Sequence, residues 1–416
     1  MGRQRVVLTG LAAILVFALG LASPALSAGK EQSDLPAAAQ VILAKAGALL
    51  ENKEYAQAAQ MIAEFQKSAP PQEQQKESDK GWFHAEVHHA LGVCYLFQER
   101  YNEAVRALQA AVDRNPRHQG ALLNLGKASY ELGNHDKAAG CFLAAYECGE
   151  EKNPEHLYFA AVAQMLAGQD RQAIALFERL LAEHHGKIQP EWRENLVHAL
   201  LAAGENRRTL PHLETLSETS QGTKQRQWQE LLLHQYLQLN MGDKALAYAE
   251  GLSAKAPTEV LWWRALTHLH LQHNRYKEAL TCLLVAGYLD TLTAEEQRLV
   301  ADLYLQLGVP RQAVPLYKGM IAAGANHQLL ANLLVALRQM GRTEEALEAL
   351  DRFAPSPLPA ELAMQKADLL FSHGRYQEAA SLYDQIAATA GGKQRQRLQQ
   401  MAASARARLE ERRGDG

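Results

Sequence analysis

One residue pattern returns along almost the whole 416-residue chain and leaves it little choice of fold. A small residue recurs at Ala58, Ala104, Ala138, Ala173, Thr209, Ala245, Ala279, Ala313, Ala346 and Ala379, at intervals of 46, 34, 35, 36, 36, 34, 34, 33 and 33. Between Ala85 and Pro116, Leu91, Gly92, Tyr95, Tyr101, Ala104, Ala111 and Pro116 fall at the spacings of two helices joined by a turn. A unit of this kind has one apolar face that it cannot bury within itself, so it must stack on its neighbours.

The residues show how the two helices would pair. Leu91 and Tyr95 lie four apart on one stripe, and Gly92 between them lets a partner helix come close. Ala104 accepts the crossing, Leu108 fills the groove beside it, and Pro116 stops the second helix for want of a backbone donor. The counterparts of Gly92 are Ala46, Gly126, Ala161, Val197, Leu233, Thr267, Ala301, Leu334 and Ala367. Val197, Leu233 and Leu334 break the small-residue rule, and Thr209 with Pro211 makes the fifth unit the weakest. Gly133, Gly168, Gly204, Gly308, Gly341 and Gly374 stand where a left-handed helix end is needed.

This spacing resembles the tetratricopeptide family from roughly Ala39 to Ala388. The resemblance implies an all-α, right-handed α-solenoid of about ten helix pairs that binds other proteins. It places the solenoid at 39–390, with a polar loop insertion at 70–80 and one elongated domain throughout, because each repeat touches only its neighbours. Residues 391–416 are expected to form a capping helix and tail. Its apolar stripe is Leu398, Met401, Ala402, Ala405 and Leu409, and Lys393, Arg395, Arg397, Arg406, Arg408, Arg412 and Arg413 point outward.

The N-terminus speaks to compartment. Arg3 and Arg5 precede an apolar run from Val6 to Leu21, followed by Pro24 and small Ala25, Ser27 and Ala28, which is the layout of a secretory signal. Residues 1–28 are therefore expected to direct export to the periplasm, with retention as an inner-membrane anchor the alternative, and 29–38 to form a short N-terminal segment. The formal charge of −3 becomes −5 once Arg3 and Arg5 are removed, and no basic stripe with interleaved aromatics follows. Nucleic acid, which needs phosphate neutralisation, is not an expected partner. Of the four cysteines, Cys141 and Cys148 sit two turns apart on one helix, about 10 Å by its rise, too far for a disulfide.

No constellation supports an enzyme, a metal centre or a cofactor. Gly120, Gly126 and Lys127 miss the phosphate-loop spacing by one residue, and Ala128 replaces the hydroxyl. His84, Glu86, His88 and His89 resemble a zinc-protease helix, but Glu86 is not adjacent to the first His, so its carboxylate should point off the ligand face. His184 and His185 end a helix, where an imidazolium complements the dipole.

In the tetratricopeptide family, positions two, five, nine, twelve and thirteen of each unit face the ligand. Carried onto units five to eight, the fifth positions are Glu194, Glu230, Arg264 and Arg298, and the ninth are His198, His234, His268 and Asp302. The twelfth are Leu201, Leu237, Leu271 and Leu305. Glu194 can meet His198, Glu230 can meet His234, and Arg298 can meet Asp302, each four residues on. The two Glu–His pairs should keep imidazole protonated longer, and Arg264 should oppose this at His268. The same rows also fit a solvated polar face repeated by duplication. A zinc site shared along the row is not expected, because neighbouring first helices stand about 10 Å apart. The clamp that some family members use for chaperone C-termini is absent, since His89, Val93 and Leu123 occupy its positions.

A narrower likeness lies in residues 258–316. The segments 260–266 (VLWWRAL), 276–280 (YKEAL) and 303–313 (LYLQLGVPRQA) are similar to exported tetratricopeptide proteins that accompany TonB, ExbB and ExbD energy-transduction systems. That likeness implies a non-catalytic periplasmic accessory of outer-membrane transport, docking to such components or to an outer-membrane receptor. A scaffold for envelope biogenesis, in polysaccharide export or outer-membrane protein assembly, is the alternative. Trp263 is expected in a core slot, which leaves Trp262 as the freer aromatic anchor.

Overall fold

The computed structural model describes residues 35–70, 80–324 and 327–414. The signal-like segment, most of the 70–80 insertion and residues 415–416 lie outside the described residues. The regular secondary structure is helical, with twenty-one α-helices, one short 3-10 turn and no strand among the described residues. The chain divides into two compact units, one up to Gln235 and one from Tyr236.

The first unit holds α1 (Ala37–Glu51) and α2 (Tyr55–Lys67), α3 (Ala85–Phe97) and α4 (Tyr101–Arg114), α5 (Gln119–Glu131) and α6 (His135–Cys148), α7 (Pro154–Leu166) and α8 (Asp170–Glu183), and α9 (Pro190–Ala202) and α10 (Asn206–Thr219). The boundary falls inside α11 (Gly222–Gln238). The second unit continues with α12 (Gly242–Lys255), α13 (Val260–Gln272) and α14 (Tyr276–Leu289), α15 (Ala294–Gln306) and α16 (Pro310–Ala323), α17 (His327–Gln339) and α18 (Thr343–Phe353), and α19 (Ala360–Ser372) and α20 (Tyr376–Thr389). A last helix, α21 (Gly392–Gly414), packs on α20. Along most of each unit, successive helices pack on one another in the order of the chain, which is the architecture of an α-solenoid.

The recurring small residue is the hinge of this packing. From Ala58 to Ala379, all of the positions that set the period are fully buried, Thr209 included. A side chain added at Gly92 would put Cβ 2.4 Å from Leu108 Cγ, and one at Gly126 would come within 2.7 Å of the Phe142 ring. At these two pairs the glycine is what allows the contact. Val197, Leu233 and Leu334 are nevertheless buried in the equivalent slot. Pro211 does not break α10, where Thr209 fills the alanine position and donates its hydroxyl to Asn206 O at 2.6 Å.

Every first helix ends in one left-handed residue placed five before the small marker. Six of these are the expected glycines, from Gly133 at φ +74° to Gly374 at +79°. The other four are Lys53, Glu99, Asn240 and Asn274, with φ between 56° and 62°. A left-handed residue costs a non-glycine side chain something, so the turn is held by the packing of the pair.

The C-terminal helix behaves as a cap. Leu398, Ala402 and Ala405 are buried, while Arg395, Arg397, Arg406 and Arg408 are exposed. Arg406 pairs with Asp384 of α20, and Arg408 pairs with Glu411. The four cysteines are unpaired thiols; burial pushes Cys94 up to about 12 and Cys282 up to about 11. They therefore stay protonated and pack as small apolar residues. Among the described residues, no helix is long and apolar enough to cross a membrane.

Candidate functional site

The residues expected to line the ligand face divide between the two units. In the first, Glu194 leaves His198 and instead accepts Nζ of Lys224 at 3.0 and 3.3 Å, tying α9 to α11. His198 sits half-buried with its ring 5.9 Å from that of Trp228. Burial lowers its pKa, and the charge of Glu194 offsets this only in part. This reverses the expected sign, because desolvation outweighs the carboxylate four residues away. Leu201 is half-buried, and Glu230 and His234 are exposed on α11.

In the second unit, Leu237 is 36% exposed and His268 is exposed. Arg264 is engaged by Glu296 through Nε at 2.6 Å, by Asp290 at 3.1 Å and by Thr291 O at 3.3 Å, so it fastens α13 to the start of α15. Arg298 meets Asp302 at 3.5 Å, as the four-residue spacing predicts. Oδ1 of Asp302 also accepts the Tyr317 hydroxyl at 2.6 Å and the Asn332 amide at 3.0 Å. Leu271 and Leu305 are half-buried and pack on the adjacent cores.

The tryptophans exchange roles. Trp262 is 3% exposed and belongs to the core, so it is not available as an aromatic anchor. It holds the third position of its repeat, as do buried Trp192 and Trp228 in theirs. Trp263, one residue on, points off that stripe, remains half-buried and donates Nε1–H to Pro257 O at 2.8 Å.

Among the described residues, a cluster of three side chains able to ligate a metal lies elsewhere in the first unit. Glu86 and His89 on α3 and His118, the N-cap of α5, bring their ligand atoms within 4.8 Å of one another. Nε2 of His118 lies 3.3 Å from one oxygen of Glu86, and Nδ1 of His89 lies 3.8 Å from the other. The two rings are 4.6 Å apart. His118 Nδ1 accepts the Ala121 N–H at 3.1 Å, and His89 Nε2 meets the Asn124 amide at 3.0 Å. Contact with His118, and then with His89, holds the Glu86 carboxyl far below the usual carboxylate range. Burial lowers the pKa of His89.

The expectation for this stretch needs correcting in part. His84 caps α3 through Glu86 N–H, and His88 turns to Gln66, so neither joins Glu86. The Glu86 carboxylate, expected to point off the ligand face, instead shares one face of α3 with His89. The second imidazole comes from the next helix pair.

A family profile described as the tetratricopeptide repeat matches residues 89–156 and 335–395. In those two stretches the chain matches the tetratricopeptide repeat. A comparison with curated proteins gives no significant match. Among solved structures, the chain is similar to one in the Naa15/Naa10 complex bound to HypK-THB, at 16% identity over 89% of this chain and 66% of that one, with TM-score 0.42. It is also similar to a tetratricopeptide repeat protein from Parabacteroides merdae, at 13% identity over 72% of this chain and 99% of that one, TM-score 0.33. Yeast Tom70 matches at 14% identity over 89% of this chain and 96% of that one, TM-score 0.30. None of these likenesses carries an argument about partner or chemistry.

Glu86 and His89 hold the second and fifth positions of the second repeat. His118 escapes a search along one helix because it lies 29 residues further on. The available signal was a histidine immediately before the third repeat, at the same end of the pair as Glu86.

Proposed function

We propose that the protein is an exported, non-catalytic scaffold whose first-helix faces hold a protein or an extended peptide. Tetratricopeptide repeats generally mediate protein–protein interaction. The observation that carries the reading is that the ninth-position residues His234 and His268 are left exposed on their helices, while His198 and Asp302 of the same row are held by ring packing and hydrogen bonds. Glu230 and Arg298 add exposed charges of both signs in the same rows. Export rests on the basic, apolar and small-residue order of residues 1–28.

The finer reading is an accessory of TonB-type energy transduction, supported by the likeness of residues 258–316. Capture by crosslinking in intact cells tests it. Recovery of TonB-, ExbB- or ExbD-like proteins, or of an outer-membrane receptor, supports this role, and recovery of polysaccharide-export or outer-membrane assembly components overturns it. Fractionation of the cells tests the location: the mature chain belongs in the periplasmic fraction, and a cytoplasmic chain with its N-terminus intact would contradict export.

A further inference from the structure

We propose that Glu86, His89 and His118 form a binding site for a divalent transition metal, of which zinc is the type, bridging the second and third repeats. Two imidazoles and one carboxylate are a donor set that zinc takes, with a fourth position left for water or an incoming ligand. The three ligand atoms already lie within 4.8 Å of one another, so small side-chain rotations bring them onto one ion. Nε2 of His118 is buried, makes no well-aligned hydrogen bond and lies 3.3 Å from a Glu86 oxygen. That nitrogen is what a metal would satisfy. The Glu86 side chain is 34% exposed and that of His89 21%, so an ion can enter from solvent.

The surroundings are suited to the ion in one respect and oppose it in another. Asn124 lies 3.0 Å from His89 Nε2, and by turning its amide it accepts that N–H and orients Nδ1 on the metal. Against this, His118 Nδ1 accepts the Ala121 N–H, which places the proton of the neutral ring on Nε2. Binding through Nε2 moves that proton to Nδ1 and gives up the cap bond. One cap hydrogen bond is a small loss beside three metal–ligand bonds. The cost nevertheless sets a direction: the ion pulls His118 away from its capping role, so the start of α5 loosens as repeats two and three are tied together.

The test is calorimetric titration of the full chain with zinc chloride, with magnesium chloride as the control for oxygen-seeking ions. The expected result is one zinc bound per chain, no comparable magnesium binding, and a melting temperature that rises with zinc. Glu86→Gln and His118→Asn should each weaken zinc binding at least tenfold. His118→Asn keeps a side chain able to cap α5, and Glu86→Gln leaves both imidazoles in place, so at least one variant reports on a folded chain. The proposal is overturned if the wild-type chain takes up no zinc, or if the double variant binds zinc as the wild type does, which would place the ion on other histidines or cysteines.

Discussion

The hydroxyl of Tyr317 donates to Oδ1 of Asp302 at 2.6 Å, and Tyr383 donates to Asp368 at the same distance two repeats later. In both cases the acceptor is the ninth position of the first helix, and the donor lies one turn beyond the small marker of the second. The bond therefore latches the two helices of a pair. Asp302 is therefore not a free ligand-face carboxylate.

Tyr317→Phe should destabilise the second unit by about 1.5 kcal/mol, the low end for a hydrogen bond to a charged group, because Asn332 and Arg298 still reach Asp302. Urea unfolding followed by circular dichroism measures this. An unchanged midpoint would mean that the latch contributes nothing.

Two glycine substitutions separate conformation from crowding. Gly133→Ala adds a methyl into open space at φ +74°, so its cost of about 1–2 kcal/mol comes from the backbone alone. Gly92→Ala drives Cβ into Leu108 and costs about 1–3 kcal/mol by overpacking. Hydrogen exchange should show the Gly92→Ala damage concentrated in the second repeat and its neighbours. Uniform loss across the chain would contradict the repeat register.

Glu99→Gly relieves the left-handed strain at φ +58° and should stabilise the first unit by up to about 1 kcal/mol, less the entropy that glycine brings to the unfolded chain. Thermal melting decides this, and a lower melting temperature would show that Glu99 makes a contribution that outweighs the strain.

Lowering the pH should destabilise the first unit. Burial holds His156 and His198 below the ordinary imidazole pKa, so the unfolded chain binds protons more readily than the folded one. Their contribution is complete above about pH 6.5 and is lost as the pH falls through the window beneath it. The melting temperature of the wild type should drop between about pH 7 and 5, and that of His156→Gln/His198→Gln should drop less. Parallel pH profiles for the two proteins would contradict this.

Much of the fold is legible in the sequence because a solenoid repeats its solution. The small marker, the close approach at Gly92 and Gly126, and the capping stripe of α21 each depend on residues within one or two helices. What escaped depends on a neighbour. Lys53, Glu99, Asn240 and Asn274 adopt the left-handed turn because the packed pair over-determines it, and glycine was only the commonest way to meet that demand. Trp262 and Trp263 are adjacent, so a shift of one position along the helix exchanges wall for core. His198 sits in the expected row, yet burial beside Trp228 of α11 lowers its pKa where Glu194 was expected to raise it. Glu86 and His89 needed His118 from the following repeat before they made a cluster.

The most direct test of the scaffold account is site-specific photocrosslinking in intact cells, with the photoreactive residue placed at His234 or His268 on first helices, or at half-buried Gln109 or exposed Arg171 on second helices. The account predicts discrete protein adducts from 234 and 268 and none of the same species from 109 and 171. Adducts that arise only from the second-helix positions, or no adducts from 234 and 268, would contradict recognition by the first-helix faces.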